Sequence, residues 1–302
     1  MNHLNNTPMK NQTRITLLSL CISALFLGFM GTPAFAQDEQ EETKKLARPA
    51  FESAILLDNQ TVVVPIKNTL EWDMQHRFSP VGNGIEDLFG IYGPGANIRL
   101  GFSYTLIDNL GIGFGYTKTN GKLLLDGNVK YAILKQTRDW SMPVSVTYFG
   151  NFALDTRSDD NDELFAEYAH RMSFFHEVII ASRITPKISL QIAPSFSHFN
   201  AVSDSLENDI IALSFAGRYK FSPQSSVIFE YTQQLTDHDK STFDLQPGIS
   251  IGMEVATSSH AFQFFVSTFS GIVYQENIVF NQNKFDSDGI LIGFNITRLW
   301  NF

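Results

Sequence analysis

The sequence predicts an all-β protein: a transmembrane, antiparallel, up-and-down outer-membrane β-barrel of about twelve strands, following a cleaved signal peptide. Three observations carry this reading. From Asn68 onward, apolar and polar residues alternate with a period of two over about twelve stretches, as in strands with one apolar and one polar face. The connections between these stretches alternate short and long, as they do in barrels with short turns at one end and longer loops at the other. Finally, the chain stops on a strand, Gly289 to Phe302, whose apolar series closes on Trp300 and Phe302.

Residues 1–36 read as a secretory signal: Lys10 and Arg14 precede the apolar run Ile15 to Met30, and Ala34-Phe35-Ala36 supplies the cleavage site. Cys21, the only cysteine, leaves with it, so no disulfide or thiol chemistry survives in the mature chain. Loss of Lys10 and Arg14 takes the formal charge from −9 to −11, which argues against nucleic acid as a partner. Residues 37–66 form a periplasmic leader and possible plug. Gln37 to Pro49 is charged, whereas Phe51 to Pro65 is apolar enough to be ordered, either inside the barrel mouth or packed beneath it against a periplasmic partner.

Residues 67–302 form the barrel. The first strand sets Leu70, Trp72 and Met74 against Glu71, Asp73, Gln75 and Arg77. Later strands repeat the split: Leu100, Phe102, Tyr104 against Arg99, Ser103, Thr105, and Ile112, Phe114, Tyr116 against glycines 111, 113 and 115. Short turns fall at Asp108-Asn109, Thr185-Pro186, Ser222-Pro223 and Ser258-Ser259, with a longer one near Arg138 to Ser141. Long loops fall at Ser79 to Ala96, Asp155 to Ala169, Ala201 to Glu207, Thr236 to Gln246 and Ser270 to Ser287; only Asn120-Gly121 breaks the parity. Closure leaves no unpaired edge in the lipid.

The last strand, with Phe294, Ile296, Trp300 and Phe302 on its apolar face, resembles the C-terminal sorting signal that barrel-insertion machinery reads in Gram-negative outer membranes. Insertion machinery and outer-membrane lipid are therefore the expected partners. Tyr104, Tyr116, Tyr131, Tyr148, Tyr219, Trp72 and Trp300 read as aromatic girdles at the two interfaces.

The inward series carries both signs of charge: Glu71, Asp73, Arg77, Arg99, Asp126, Lys130, Glu177, Arg183, Arg218, Lys220, Glu230 and Glu254. Two readings compete, an ion-pair network that fills the lumen and a charged lining that selects a solute. No catalytic residue, cofactor or metal is expected. The run Ser195-Phe196-Ser197-His198-Phe199-Asn200 holds the residue types of an outer-membrane hydrolase. Alternation, however, puts Ser197 and His198 on opposite faces. The acidic run Asp155 to Glu163 lacks a calcium-loop spacing.

The phrases Ile85-Glu86-Asp87-Leu88-Phe89-Gly90-Ile91-Tyr92, Pro194-Ser195-Phe196-Ser197-His198-Phe199-Asn200, His260-Ala261-Phe262-Gln263 and the closing Ile292 to Trp300 carry a family resemblance. The chain resembles an uncharacterised β-barrel family of Bacteroidetes-type outer membranes, classed as a domain of unknown function. The resemblance implies a barrel in the outer membrane and brings no catalytic residues. The reading favoured by the residues is a narrow passive channel for a small solute, with loops Ser79 to Ala96 and Ser270 to Ser287 constricting its mouth and both termini periplasmic. The alternative is a non-conducting structural or docking barrel with a plugged lumen.

Overall fold

A computed structural model describes residues 45–119, 121–157, 163–239 and 243–302. The expected signal segment and residues 37–44 of the expected leader lie outside these, as do Asn120, residues 158–162 of the acidic run and residues 240–242.

Twelve strands form one closed antiparallel barrel. They are β3 (Thr69–Pro80), β4 (Asn97–Ile107), β5 (Leu110–Thr119), β6 (Lys122–Leu134), β7 (Ser145–Asp155) and β8 (Met172–Arg183). The second half comprises β9 (Ile188–Phe199), β10 (Asp209–Lys220), β11 (Ser225–Gln234), β12 (Gly248–Ala256), β13 (His260–Ser267) and β14 (Leu291–Asn301). Closure comes from β14 pairing with β3, from Asn301 opposite Thr69 to Leu291 opposite Pro80, with a bulge between Leu291 and Gly293. Trp300 stands opposite Leu70, so the strand that carries the expected sorting residues is the one that seals the barrel.

The faces are inverted relative to a water-soluble protein. Phe102 is 50% exposed, Phe114 54% and Phe264 59%, whereas Arg77 and Thr117 on the inner face are fully buried. Aromatic residues at this density on the outside are stable only against hydrocarbon. Arg298, on that outer face, lies over the Trp300 ring at 4.7 Å, a cation held on an aromatic face near the end of the strand.

The strands begin and finish at what we term the terminal end. Connections there span 108–109, 135–144, 184–187, 221–224 and 257–259; at the opposite, loop end they span 81–96, 120–121, 156–171, 200–208, 235–247 and 268–290.

Two segments enter the lumen. From the terminal end comes a finger containing a short hairpin, β1 (Ile55–Leu56) and β2 (Asn59–Gln60), paired Ile55 to Gln60 and Leu56 to Asn59. Leu57 turns the tip with a φ of 52°, and Phe51, Leu56, Leu57, Asp58, Thr61 and Val62 are all buried. Both roots of the finger stay at the terminal end. Before it, Leu46 bridges Thr137 and the Ala47 amide donates to the Gln136 carbonyl at 2.9 Å. After it, the Asn68 amide donates to the Thr105 carbonyl at 2.9 Å. From the loop end, connection 268–290 folds inward as helix α1 (Tyr274–Phe280), with Tyr274, Gln275, Ile278 and Val279 buried.

Loop 81–96 corrects the expectation that it constricts the mouth beside 268–290. It stays at the rim with Ile85 82% and Tyr92 80% exposed, and only its neighbour enters the barrel. The difference is one of anchorage: α1 offers Tyr274, Ile278 and Val279 to apolar residues on the inner wall, and the exposed 81–96 loop places no side chain in that cluster.

Candidate functional site

The lumen is the candidate site. At its deepest point the finger's Asp58 receives Arg77 of β3, Nη2 to Oδ1 at 2.8 Å and Nε to Oδ1 at 3.0 Å. Its other carboxylate oxygen accepts the hydroxyls of Ser250 and, at 2.7 Å, Ser267. Removing one partner of so buried a pair leaves a bare charge, and that is where its cost lies. The backbone around Asp58 is also held by wall side chains. Asn295 donates to the Leu57 carbonyl at 2.7 Å, Gln263 accepts the Leu57 amide at 3.1 Å and Glu230 accepts the Asp58 amide at 3.1 Å. Lower down, Lys130 donates to the Ala54 carbonyl at 3.0 Å and to Gln60 Oε1 at 2.8 Å, and Gln191 donates to the Gln60 carbonyl at 2.8 Å. Each wall group satisfies a finger backbone group that burial would otherwise strand.

At the terminal end Glu52 pairs with Lys220 at 2.8 Å and Arg218 at 3.2 Å. Burial alone raises the Glu52 carboxyl, but hydrogen bonding to Lys220 and the charges of Arg218 and Lys220 hold it below the ordinary carboxylate range. Arg218 also faces Glu254 at 3.9 Å, and Glu254 accepts Gln263 at 3.0 Å. Arg183 sits half-buried at the terminal rim, donating to the Pro186 carbonyl at 3.1 Å. Glu177 is fully inside, with no hydrogen-bond partner on either oxygen among the described residues.

The opposite part of the wall holds itself. Asp73, Gly101, Gly115 and Asp126 are successive cross-strand neighbours on β3, β4, β5 and β6. The Arg99 guanidinium lies along this row, reaching Asp73 at 2.8 Å and Asp126 twice, at 3.0 and 2.8 Å. The two glycines make the row possible: a Cβ on Gly115 would stand 2.2 Å from Arg99 Nη2, and one on Gly101 would stand 2.0 Å from an Asp73 oxygen. Between this row and the finger, lined by Glu71, Lys130, Ser103, Asn128 and Gly111, remains a cavity of about 40 Å³. That is room for about three or four waters at roughly 10–15 Å³ each.

The finger and α1 meet in the middle, where Gln60 Nε2 donates to the Tyr274 hydroxyl at 2.5 Å. Tyr274 in turn stacks on Phe175 at 5.3 Å and meets the Phe149 edge at 5.1 Å. The lumen is thus filled from both ends.

A family model described as a membrane-bound β-barrel domain (DUF5777) matches residues 51–300. The chain belongs to that family. The matched region opens at Phe51, so the finger lies inside the family's domain. No match was found among curated proteins. Among solved structures, the KdgM porin is similar at 8% identity and a TM-score of 0.46, over 78% of this chain and 99% of that one. The COG4313 outer membrane channel of Pseudomonas putida F1 aligns at 11% identity and 0.47, over 79% and 97% of the two chains. LpxR of Salmonella typhimurium aligns at 10% identity and 0.39, over 78% and 100%. Likenesses this distant carry no argument about what the chain does.

Of the inward charges expected from sequence, Asp73, Arg99 and Asp126 form one network, and Arg77, Lys130, Arg218, Lys220 and Glu230 face the finger. Alternation missed the inward apolar residues Phe149, Phe175, Ile179, Ile210, Ile228 and Phe265, all buried. A large apolar side chain on the lumen face is itself a signal that something dry packs there. Ser197 faces inward without a hydrogen-bond partner among the described residues, while His198 turns to the outer row, stacked on Phe174 and bonded to Asp209 at 2.6 Å. The two do not meet as nucleophile and base.

Proposed function

We propose that this protein is an outer-membrane passage for a small solute, closed at rest by its own N-terminal finger, with both termini periplasmic. The observation that carries the reading is the seating of residues 51–62: both roots lie at one end of the barrel, and the tip is clamped deep inside by Arg77. A segment rooted in this way can leave the lumen towards the terminal end without breaking a ladder bond of the wall. Its polar grip exchanges protein hydrogen bonds for water bonds on withdrawal at modest net cost, and the apolar contacts of Phe51, Leu56, Leu57 and Val62 hold it at rest. A purely structural filling has no need of a finger with both roots at one mouth.

A second reading, a permanently filled barrel that serves as a dock, is favoured by the buried Asp58–Arg77 pair, which is costly to split. Conductance separates the two. Refolded mature protein in a planar bilayer should be silent or open only in rare bursts. A variant lacking Phe51 to Pro65, in which α1 also loses its Gln60–Tyr274 contact to the finger and is free to move aside, should show discrete, sustained steps. If the deletion folds, as judged by gel mobility before and after boiling, and stays silent, the passage reading fails and the dock stands.

A further inference from the structure

Much of the wall's polar grip on residues 54–62 falls on their main chain and not on their side chains. Lys130, Thr147, Gln191, Gln263 and Asn295 donate to the carbonyls of Ala54, Val62, Gln60, Ile55 and Leu57, at 3.0, 3.0, 2.8, 2.9 and 2.7 Å. Gln263 and Glu230 accept the Leu57 and Asp58 amides, both at 3.1 Å. A buried segment can satisfy its own backbone by forming a helix or a longer sheet. This one pairs only Ile55 with Gln60 and Leu56 with Asn59, and the wall serves the rest.

The grip is prepared by bonds within the wall. Glu254, Gln263 and Asn295 are successive cross-strand neighbours on β12, β13 and β14. Gln263 donates to Glu254 at 3.0 Å and accepts from Asn295 at 2.9 Å, and Asn295 accepts from Arg77 Nη1 at 2.9 Å. These bonds fix the Gln263 amide with its oxygen on the Leu57 N–H and its nitrogen on the Ile55 carbonyl. A neighbouring strand's peptide group would offer the same donor and acceptor. The Arg77 guanidinium lies over the Phe265 ring at 4.5 Å. With Nη1 spent on Asn295, its Nε and Nη2 edge is turned to a carboxylate, beside the Ser250 and Ser267 hydroxyls. Among the described residues, the carboxylate that pairs with Arg77 is the finger's Asp58, not one of the wall's.

We infer that the lumen, once the finger withdraws, binds a short peptide carrying an acidic residue. Its carboxylate sits on Arg77, Ser250 and Ser267, and its main chain on Gln263, Asn295 and Glu230. The finger occupies this cradle as a tethered stand-in for that peptide. The inference rests on the passage reading and names the class of its solute. A sugar lacks the alternating amide and carbonyl that Gln263 spans, and a simple dicarboxylate leaves Gln263 and Glu230 unpartnered, so the site selects against both. In the parent protein the tether gives the finger a high effective concentration, and free peptide competes poorly with it.

The test uses the refolded full-length mature barrel carrying Asp58→Ala, which takes the finger's carboxylate out of the cradle. Release of the finger is read as protease cleavage within residues 51–65. Should the finger stay seated, Asp58→Arg, which sets a second guanidinium against Arg77, takes its place. Calorimetric titration with acetyl-Ala-Leu-Asp-Ala-amide should show saturable binding, at least about tenfold tighter than to the parent. Asparagine in place of the peptide's aspartate should weaken binding at least about tenfold, the range expected for losing a charge-assisted pair. N-methylation of the aspartate amide, which removes the donor that Glu230 accepts, should also weaken it, and succinate should not bind saturably. Adding Arg77→Gln should erase the preference for aspartate. Equal binding of the aspartate and asparagine peptides, saturable binding of succinate, no peptide binding to a barrel whose finger is released, or a finger seated in both Asp58 variants would overturn the inference. The two readings fail separately. A silent finger deletion with intact peptide binding refutes the passage and leaves a peptide-binding dock, and a conducting deletion whose released cradle ignores the peptide refutes only the peptide assignment.

Discussion

Two parts of the barrel wall face the same lumen and treat it differently. On β3 to β6 the inner face is charged, polar or small apart from Leu124, and its principal cation, Arg99, satisfies carboxylates of the wall itself. From β7 to β14 the inner face alternates polar hooks with Phe149, Phe175, Ile179, Ile228 and Phe265, which pack against the finger and α1. The first part is braced internally; the second is shaped to a guest. Arg77 and Lys130 are the exceptions that sharpen the contrast: Arg77 sits on β3 but spends its charge on Asp58 of the finger, and Lys130 sits on β6 but donates to Ala54 and Gln60 of the finger. A barrel made this way can lose its guest and keep its wall. The small cavity on the β4–β5 side shows where the finger fits least closely.

That contrast can be broken most directly at its two arginines. Arg99→Ala strands Asp73 and Asp126 in the wall and should cost about 3–5 kcal/mol of barrel stability, read as a lower urea midpoint for the unboiled, fast-migrating gel band. Arg77→Ala should shift that midpoint far less. Its expected signature is protease cleavage within residues 51–65 of an otherwise folded barrel, from a loss of about 2–4 kcal/mol in finger seating. Equal barrel destabilisation by the two would show that finger and wall are one unit.

A smaller effect separates two glycines on the same strand. Gly115→Ala drives a methyl into Arg99 and Asp126 and should cost about 1–3 kcal/mol by overpacking. Gly111→Ala meets nothing closer than 3.9 Å and should stay within about 0.5 kcal/mol of the parent. The smallest effect is the pH dependence of Glu52. Its carboxyl is held below its ordinary value of 4.5, so its contribution to seating is present above that value and is lost as pH falls through the lower, seated one. Because Glu52 is 40% exposed, water screens the pair and the contribution should stay under about 1 kcal/mol. Acid-induced protease sensitivity of the finger should therefore be reduced, not abolished, in Glu52→Gln.

The barrel itself was legible in the sequence because its cause is local: alternation with period two sets the faces, and loop parity sets the topology. The closing strand announced itself through Trp300 and Phe302. The division of the lumen was not legible, because it depends on which inward residues meet across strands. Arg99 reads as one more lining charge until Gly101 and Gly115 are seen to lie between its two carboxylates. Phe51 to Pro65 reads as ordered but unplaced, since nothing in its own composition names the Arg77 that receives Asp58. The clue that was available lay in the wall: Phe149, Phe175 and Phe265 fall on the polar side of their strands, and only a packed guest explains them.

The measurement that bears most directly on the account is conductance of a finger locked in place. The Ser53 and Thr297 hydroxyls lie 3.3 Å apart, so cysteines at both positions should form a disulfide across finger and wall. In the cysteine-pair protein, oxidation should abolish every opening, and reduction should restore the rare bursts expected of the parent. An oxidised barrel that conducts as the reduced one does would contradict the claim that this passage opens by withdrawing its finger.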